Sequence, residues 1–242
     1  MIPAVAWYKE WFGEDYLDLY AHRDAGEARG HIDFVESLFA GTRPRAVLDL
    51  ACGAGRHTNE LCRRGYNALG TDLSLTLLTQ DDGIPRVAGD MRDLPFGGGT
   101  FDWVLNFFTS FGYFESEREN FRVLEEIVRV LAPGGRCMID LFNSEQVLAT
   151  LEPSDRRELD GQVVEIRRWY DAATRRINKR ISLEREGAPA RTYLESVRAY
   201  TREEVVNGLN WAGLEITATY GGFQGETSGA DSERLIFVGR KV

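Results

Sequence analysis

The sequence predicts an α/β fold built on a doubly wound, mostly parallel sheet of seven strands. Three observations predict it. An apolar run, Ala46, Val47, Leu48 and Leu50, ends in two glycines, Gly53 and Gly55, and passes straight into a helical pattern. Short apolar runs recur at 68–71, 86–88, 101–106 and 137–141, with helical stretches between them, and near-continuous apolar runs mark strands covered on both faces. Two further strands, 214–220 and 234–242, close the chain after a helix opened by the capping box Thr201-Arg202-Glu203-Glu204.

Composition bounds what such a fold does. The 242 residues are 43% hydrophobic and 28% charged, enough for one large-cored domain with a modest insertion. A formal charge of −9 disfavours binding driven by charge to DNA, RNA or anionic membranes. Cys52, Cys62 and Cys137 are few, odd in number and without metal-ligand spacing, which fits a reducing compartment. No apolar run approaches the ~18 residues of a membrane span, and residues 1–16 lack a basic segment followed by an apolar one. A cytoplasmic protein is expected, with no metal.

The first strand and its turn carry the most information. Glycines sit where a chain turns sharply and its backbone approaches a ligand, and the first N–H groups of the following helix face the same way. The dinucleotide fingerprint needs a third glycine where Thr58 stands, and no Gly-Lys-Ser/Thr phosphate loop follows. What remains, Asp49-x-x-x-Gly53-x-Gly55, resembles motif I of the class I S-adenosylmethionine-dependent methyltransferases. Three later segments match the same family in order. Asp72 ends the second strand, Gly89-Asp90-Met91-Arg92 follows the third, and Leu131-Ala-Pro-Gly-Gly-Arg136 precedes the fifth.

The resemblance implies a Rossmann-like sheet with an antiparallel C-terminal strand, and S-adenosyl-L-methionine as cofactor. It implies that Asp49, Ala51, Cys52, Gly53, Ala54, Gly55 and Arg56 form the cofactor loop, and that Asp72, beside Leu73, holds the ribose. Asp90 would accept from the adenine amino group while Met91 packs on the ring, with Arg92 beside them. Asn106 and Phe107, at the tip of strand four, complete the cofactor set, and Phe108, Phe111 and Tyr113 form the wall where an acceptor meets the methyl group. Each acid also has a plainer reading: Asp72 can cap the next helix, and paired aspartates are ordinary in turns. The stretch 74–82 allows only about two helical turns. Missing altogether is Asn/Asp-Pro-Pro-Tyr after strand four, and no cysteine is placed to attack a pyrimidine, which counts against nucleic-acid bases as acceptors.

Residues 1–40 read as helical, and Tyr8, Phe12, Tyr16 and Tyr20 fall at i, i+4 steps along one helix face. That face is either core or a lid; the resemblance implies a lid, with Tyr16 and Tyr20 offering ring faces to the sulfonium. By the same resemblance, residues 41–153 and 201–242 are expected to form the methyltransferase domain. Between them, 154–200 reads as an inserted antiparallel sheet of three strands, 162–170, 177–184 and 192–200, serving as substrate cover or as a homodimer contact. Its basic cluster at 175–180 is a solvated face or a site for an anionic substrate group.

The expected activity is methyl transfer to a nitrogen or oxygen of a small molecule by in-line displacement. An amine acceptor needs no invariant base; a hydroxyl would need one, and His57, His22 or a tyrosine could serve. No catalytic residue is therefore assigned. The alternatives are an RNA-modifying methyltransferase and a non-catalytic cofactor-binding assembly protein. Thr58 and the Asp90 segment speak against a nicotinamide-dependent oxidoreductase.

Overall fold

Along the central strands successive side chains enter opposite apolar layers, which is what a sheet covered on both faces requires. Leu48 and Leu50 join Val104, Ile139 and Leu141 on one face, while Val47 joins Leu105 and Met138 on the other. The computed structural model describes residues 6–80 and 83–242. Its strands are β1 (Val47–Leu50), β2 (Ala68–Asp72), β3 (Arg86–Ala88), β4 (Phe101–Asn106), β5 (Leu131–Phe142), β6 (Ser154–Leu159), β7 (Gln162–Asp171), β8 (Arg176–Arg185), β9 (Arg191–Arg198), β10 (Leu214–Tyr220) and β11 (Arg234–Lys241). The helices are α1 (Trp7–Trp11), α2 (Glu14–Leu19), α3 (Ala25–Leu38), α4 (Arg56–Arg63), α5 (Leu75–Leu78), α6 (Glu117–Val130), α7 (Ser144–Ala149) and α8 (Arg202–Ala212).

Seven strands form one sheet in the order β10-β11-β5-β4-β1-β2-β3. Strands β1 to β5 run parallel, and β11 lies antiparallel between β5 and β10. From β1 the chain builds outward through β2 and β3, then returns to place β4 on the other side. That reversal opens a crevice beyond the carboxyl ends of β1 and β4, where ligands of such sheets bind. Val123, Leu124 and Ile127 of α6, with Val205 and Leu209 of α8, cover one face; Ile32 and Val35 of α3, with Leu61 of α4, cover the other. The predicted capping box starts α8: Thr201 Oγ1 accepts from Glu204 N and the Glu204 carboxylate accepts from Thr201 N.

Four elements differ from the sequence expectation. The N-terminal helix is broken, because Gly13 is extended between α1 and α2, so the aromatic residues share a cluster but not one helix face. The inserted sheet has four strands, β6-β7-β8-β9, not three. The extra one, Ser154–Leu159, is a mostly exposed edge strand turned into β7 by Asp160 and Gly161, both left-handed (φ 49° and 72°). α6 stops at Val130, and β5 begins at Leu131 through a bulge at Pro133–Gly135, where a Cβ on Gly135 would lie 2.8 Å from the Ala132 carbonyl oxygen. Finally, α5 is a four-residue turn; residues 81 and 82 of the expected helix lie outside the described residues.

One face of the second sheet presents Val164, Ile166, Ile181 and Leu183 to Trp7, Trp11 and Leu19 of the N-terminal helices. These two added layers meet above the crevice.

Candidate active site

The turn after β1 holds three left-handed residues: Ala51 (φ 59°), Gly53 (φ 57°) and Gly55 (φ 82°). At Ala51 this conformation costs of order 1 kcal/mol or more, so the surroundings must enforce it. They do so by backbone bonds, Cys52 N to Thr71 O (3.0 Å) and Gly55 N to Cys52 O (2.9 Å), and by Arg86 donating to Ala54 O (2.7 Å). Thr58 stands where a dinucleotide loop has glycine because its hydroxyl donates to the buried Asp49 carboxylate (2.7 Å). Burial pushes the Asp49 carboxyl up to about 6, against the lowering effect of the Thr58 bonds.

Asp72 ties the tip of β2 to this loop. One carboxylate oxygen accepts from Gly53 N and the other from Ser74 N, both at 2.8 Å. It does not cap α5; the Ser74 hydroxyl does, accepting from Leu77 N while donating to Phe12 O (2.5 Å). Each Asp72 oxygen keeps a second lone pair for a ligand, and burial raises the pKa of the group. Asp90, after β3, is gripped by Arg92 through Nε (3.0 Å) and Nη2 (2.6 Å). Burial pushes its carboxyl up, but the Arg92 bonds outweigh this and hold it below the usual range.

All three acids line one cavity of about 540 Å³. Ala51, Cys52, Gly53, Ala54, Arg56, Leu73, Met91 and Phe107 line it too, as do Phe108 and Tyr113 of the acceptor wall and Tyr16 and Tyr20 of the N-terminal cover. Four of the expected residues do not. Gly55 caps α4 with its α-carbon toward Arg86. Arg92 clamps Asp90 and Glu119 and lies over the Phe114 ring. Asn106 is buried, donating to Leu50 O (2.9 Å), and its Oδ1 has no partner among the described residues. Phe111 is a core residue, stacked on Tyr200 with ring centroids 5.2 Å apart.

The segment expected to form the acceptor wall rests on a device that sequence reading missed. Phe108 (φ 56°) and Thr109 (φ 58°) are consecutive left-handed residues without a glycine between them. Asp140, fully buried in β5, accepts from Phe108 N at its carboxylate (2.8 Å) and from Thr109 N at its carbonyl (2.9 Å). Arg234, at the start of β11, neutralises that carboxylate with two bonds, Nη2 to Oδ2 at 2.8 Å. The signal was a lone acid inside the apolar run 137–141.

A family model described as a methyltransferase domain matches residues 48–139. Residues 48–139 are a methyltransferase domain. A demethylmenaquinone methyltransferase of Corynebacterium kroppenstedtii is 39% identical over 100 residues, 40% of this chain and 42% of that protein's length. A cypemycin N-terminal methyltransferase of a Streptomyces species is 28% identical over 205 residues, 80% of this chain and 82% of that one. In fold the chain is similar to an S-adenosylmethionine-dependent methyltransferase from Clostridium acetobutylicum, with a TM-score of 0.79 and 18% identity over 93% of this chain and 96% of that one.

The methyltransferase domain supplies the floor of the cavity; its cover and roof come from outside residues 48–139. Trp7, Tyr8 and Phe12 join the tyrosines above, and Arg168, Lys179 and Glu195 descend from the inserted sheet. The basic cluster of that sheet is not one surface. Arg175 pairs with Glu204 (2.7 Å), while Arg176 is buried and donates to the carbonyls of Gly112 (3.1 Å), Tyr113 (2.9 Å) and Phe114 (2.9 Å), fixing the backbone of that segment. Lys179 faces the cavity and Arg180 lies over Trp169. His57 lines the methyltransferase domain's cavity, stacked 3.9 Å from Phe107, with Nε2 3.1 Å from His31 Nδ1. Burial drives His57 well below its ordinary value and His31 to about 4, so both rings are neutral near pH 7. Among the described residues no three His, Cys, Asp or Glu side chains gather to hold a metal, and no helix is long and apolar enough to cross a membrane.

Proposed function

We propose that the protein transfers a methyl group from S-adenosyl-L-methionine to a small-molecule acceptor. One observation carries this reading: Asp49, Asp72 and Asp90, at the tips of successive parallel strands, line a single cavity with the glycine loop. The donor set suits that cofactor. It offers carboxylates for hydroxyl and amino groups, apolar Leu73 and Met91 for a flat ring, and clustered aromatic rings for a cation, without a phosphate-binding lysine beside the loop.

In this reading Asp72 holds the ribose hydroxyls, Asp90 the adenine amino group, and the backbone of 51–56 the amino-acid end. When bound, the cofactor supplies an electrophilic methyl carbon on a sulfonium. Residues 7–23 act as the lid, latched through the bond from Ser74 to Phe12, and their rings exclude water and turn their faces to positive charge. Tyr16 and Tyr20, 4.9 Å apart, are the rings assigned to the sulfonium. Phe108 and Tyr113 align the acceptor under the inserted sheet, which serves as substrate cover. Orientation of this kind is worth effective molarities of ~10⁵–10⁸ M.

A nitrogen acceptor fits best. Burial drives the His57 imidazole well below its ordinary value and its Nε2 is engaged with His31, so a hydroxyl would meet only a weakly basic histidine at this wall. The similar cypemycin enzyme is named for an N-terminal acceptor. The test is a titration with S-adenosylhomocysteine followed by incubation of primary and secondary amines with S-adenosyl-L-methionine, read by mass spectrometry. Saturable one-to-one binding and a methylated amine are expected. Failure to bind S-adenosylhomocysteine, or tight binding of NADH instead, overturns the reading.

A further inference from the structure

The roof of the cavity carries charge that methyl transfer does not use. Arg168 on β7 stands directly opposite Lys179 on β8, which stands opposite Glu195 on β9. All three side chains line the cavity. The row beside them is apolar, Ile166, Ile181 and Tyr193 in the same register, so the charges form a single polar stripe across the sheet. Lys179 is satisfied, with Glu195 3.3 Å away and a hydrogen bond to the Tyr20 hydroxyl. Glu195 is satisfied as well, accepting from Trp11 Nε1 (2.6 Å). Arg168 is not matched: among the described residues it has no acidic partner, and its hydrogen bond is a long one, 3.4 Å, to Glu152 O.

Like charges directly opposite on one face of an antiparallel pair repel. Here the half-buried guanidinium and the Lys179 ammonium share a wall with Tyr20, Ile177 and Val197, where screening is weak. An oxyanion between them removes the repulsion and takes the forked donors of the arginine. We propose that Arg168 and Lys179 recognise a carboxylate or phosphate on the methyl acceptor, so that the substrate is an anionic small molecule. This rests on the methyltransferase reading. The carboxylate of the cofactor itself would meet other cations beside the glycine loop: Arg56 opens α4, where it also pairs with Glu27, and Arg56 and Arg23 both lie over the Phe108 ring, at 4.7 and 5.0 Å.

The experiment is calorimetry on the full chain saturated with S-adenosylhomocysteine, titrated in turn with benzoate, phenyl phosphate and neutral benzamide. Benzoate or phenyl phosphate should bind with the cofactor product in place, about tenfold or more tighter than benzamide, and the preferred anion separates carboxylate from phosphate. Arg168→Gln should lose that preference while keeping its affinity for S-adenosylhomocysteine; Arg168→Lys, which keeps the charge and loses the fork, should keep only part of it, and Arg156→Gln, on the exposed edge strand, all of it. Equal binding of benzamide, an unaltered Arg168→Gln, or anions that bind only by displacing S-adenosylhomocysteine overturns the proposal alone. Absence of S-adenosylhomocysteine binding overturns the methyltransferase reading and this one with it.

Discussion

Replacing Arg234 with methionine should reveal how the acceptor wall is held. Asp140 has no exposed surface, and Arg234 supplies its only ion pair among the described residues. Truncating one partner of a buried pair leaves an uncompensated charge and costs ~3–5 kcal/mol. The same carboxylate accepts the Phe108 amide, and so maintains two left-handed residues that each cost ~1–3 kcal/mol. Arg234→Met should therefore lower the free energy of unfolding in urea by ~3 kcal/mol or more. The double change Asp140→Asn with Arg234→Met removes the charge while keeping an acceptor for the Phe108 amide, so it should recover ~1–2 kcal/mol of that loss. A cost below ~1 kcal/mol for Arg234→Met, or a double variant no more stable than the single one, would refute the idea that a neutralised carboxylate holds the wall.

Asp72→Ala should weaken S-adenosylhomocysteine binding about ten- to a hundredfold, the worth of ~1.5–3 kcal/mol for hydrogen bonds to a charged group; unchanged affinity by calorimetry would remove Asp72 from the site. Tyr16→Ala should cut affinity for S-adenosyl-L-methionine by ~0.5–2 kcal/mol more than for its sulfur-neutral product, because a ring face favours the cation; an equal loss for both marks the ring as packing alone. The Asp49 carboxyl titrates at about 6 in the folded chain against an ordinary 3.8. Its stabilising contribution is thus whole below the ordinary value and lost as pH rises through about 6. Asp49→Asn should gain on the native protein by on the order of 2–3 kcal/mol between pH 4 and 7 in chemical unfolding, and parallel curves would contradict this.

What the sequence makes legible follows from how local each constraint is. The glycine loop and the acids at 49, 72 and 90 stand out because a strand, a tight turn and a helix must follow within a few residues, and only certain residues allow it. Their gathering around one cavity then follows from strand order. The edge strand Ser154–Leu159 was hidden because both of its faces are largely wet and carry no alternation; only the Asp160-Gly161 dipeptide betrays the hairpin. The aromatic spacing 8–12–16–20 was genuine, but Gly13 spends it on two short helices. Arg176 and Lys179 read as one basic run, yet strand alternation sends one into the acceptor wall's backbone and the other into the cavity. Asp140 and Arg234, 94 positions apart, meet only because β11 inserts beside β5.

A crystal structure with S-adenosylhomocysteine bound would address the whole assignment at once. The account predicts the ribose on Asp72, the adenine between Asp90 and Met91, and the sulfur facing Tyr16, Tyr20 and the Phe108 wall. An adenosyl group lodged elsewhere, with these carboxylates turned to solvent or to one another, would contradict it.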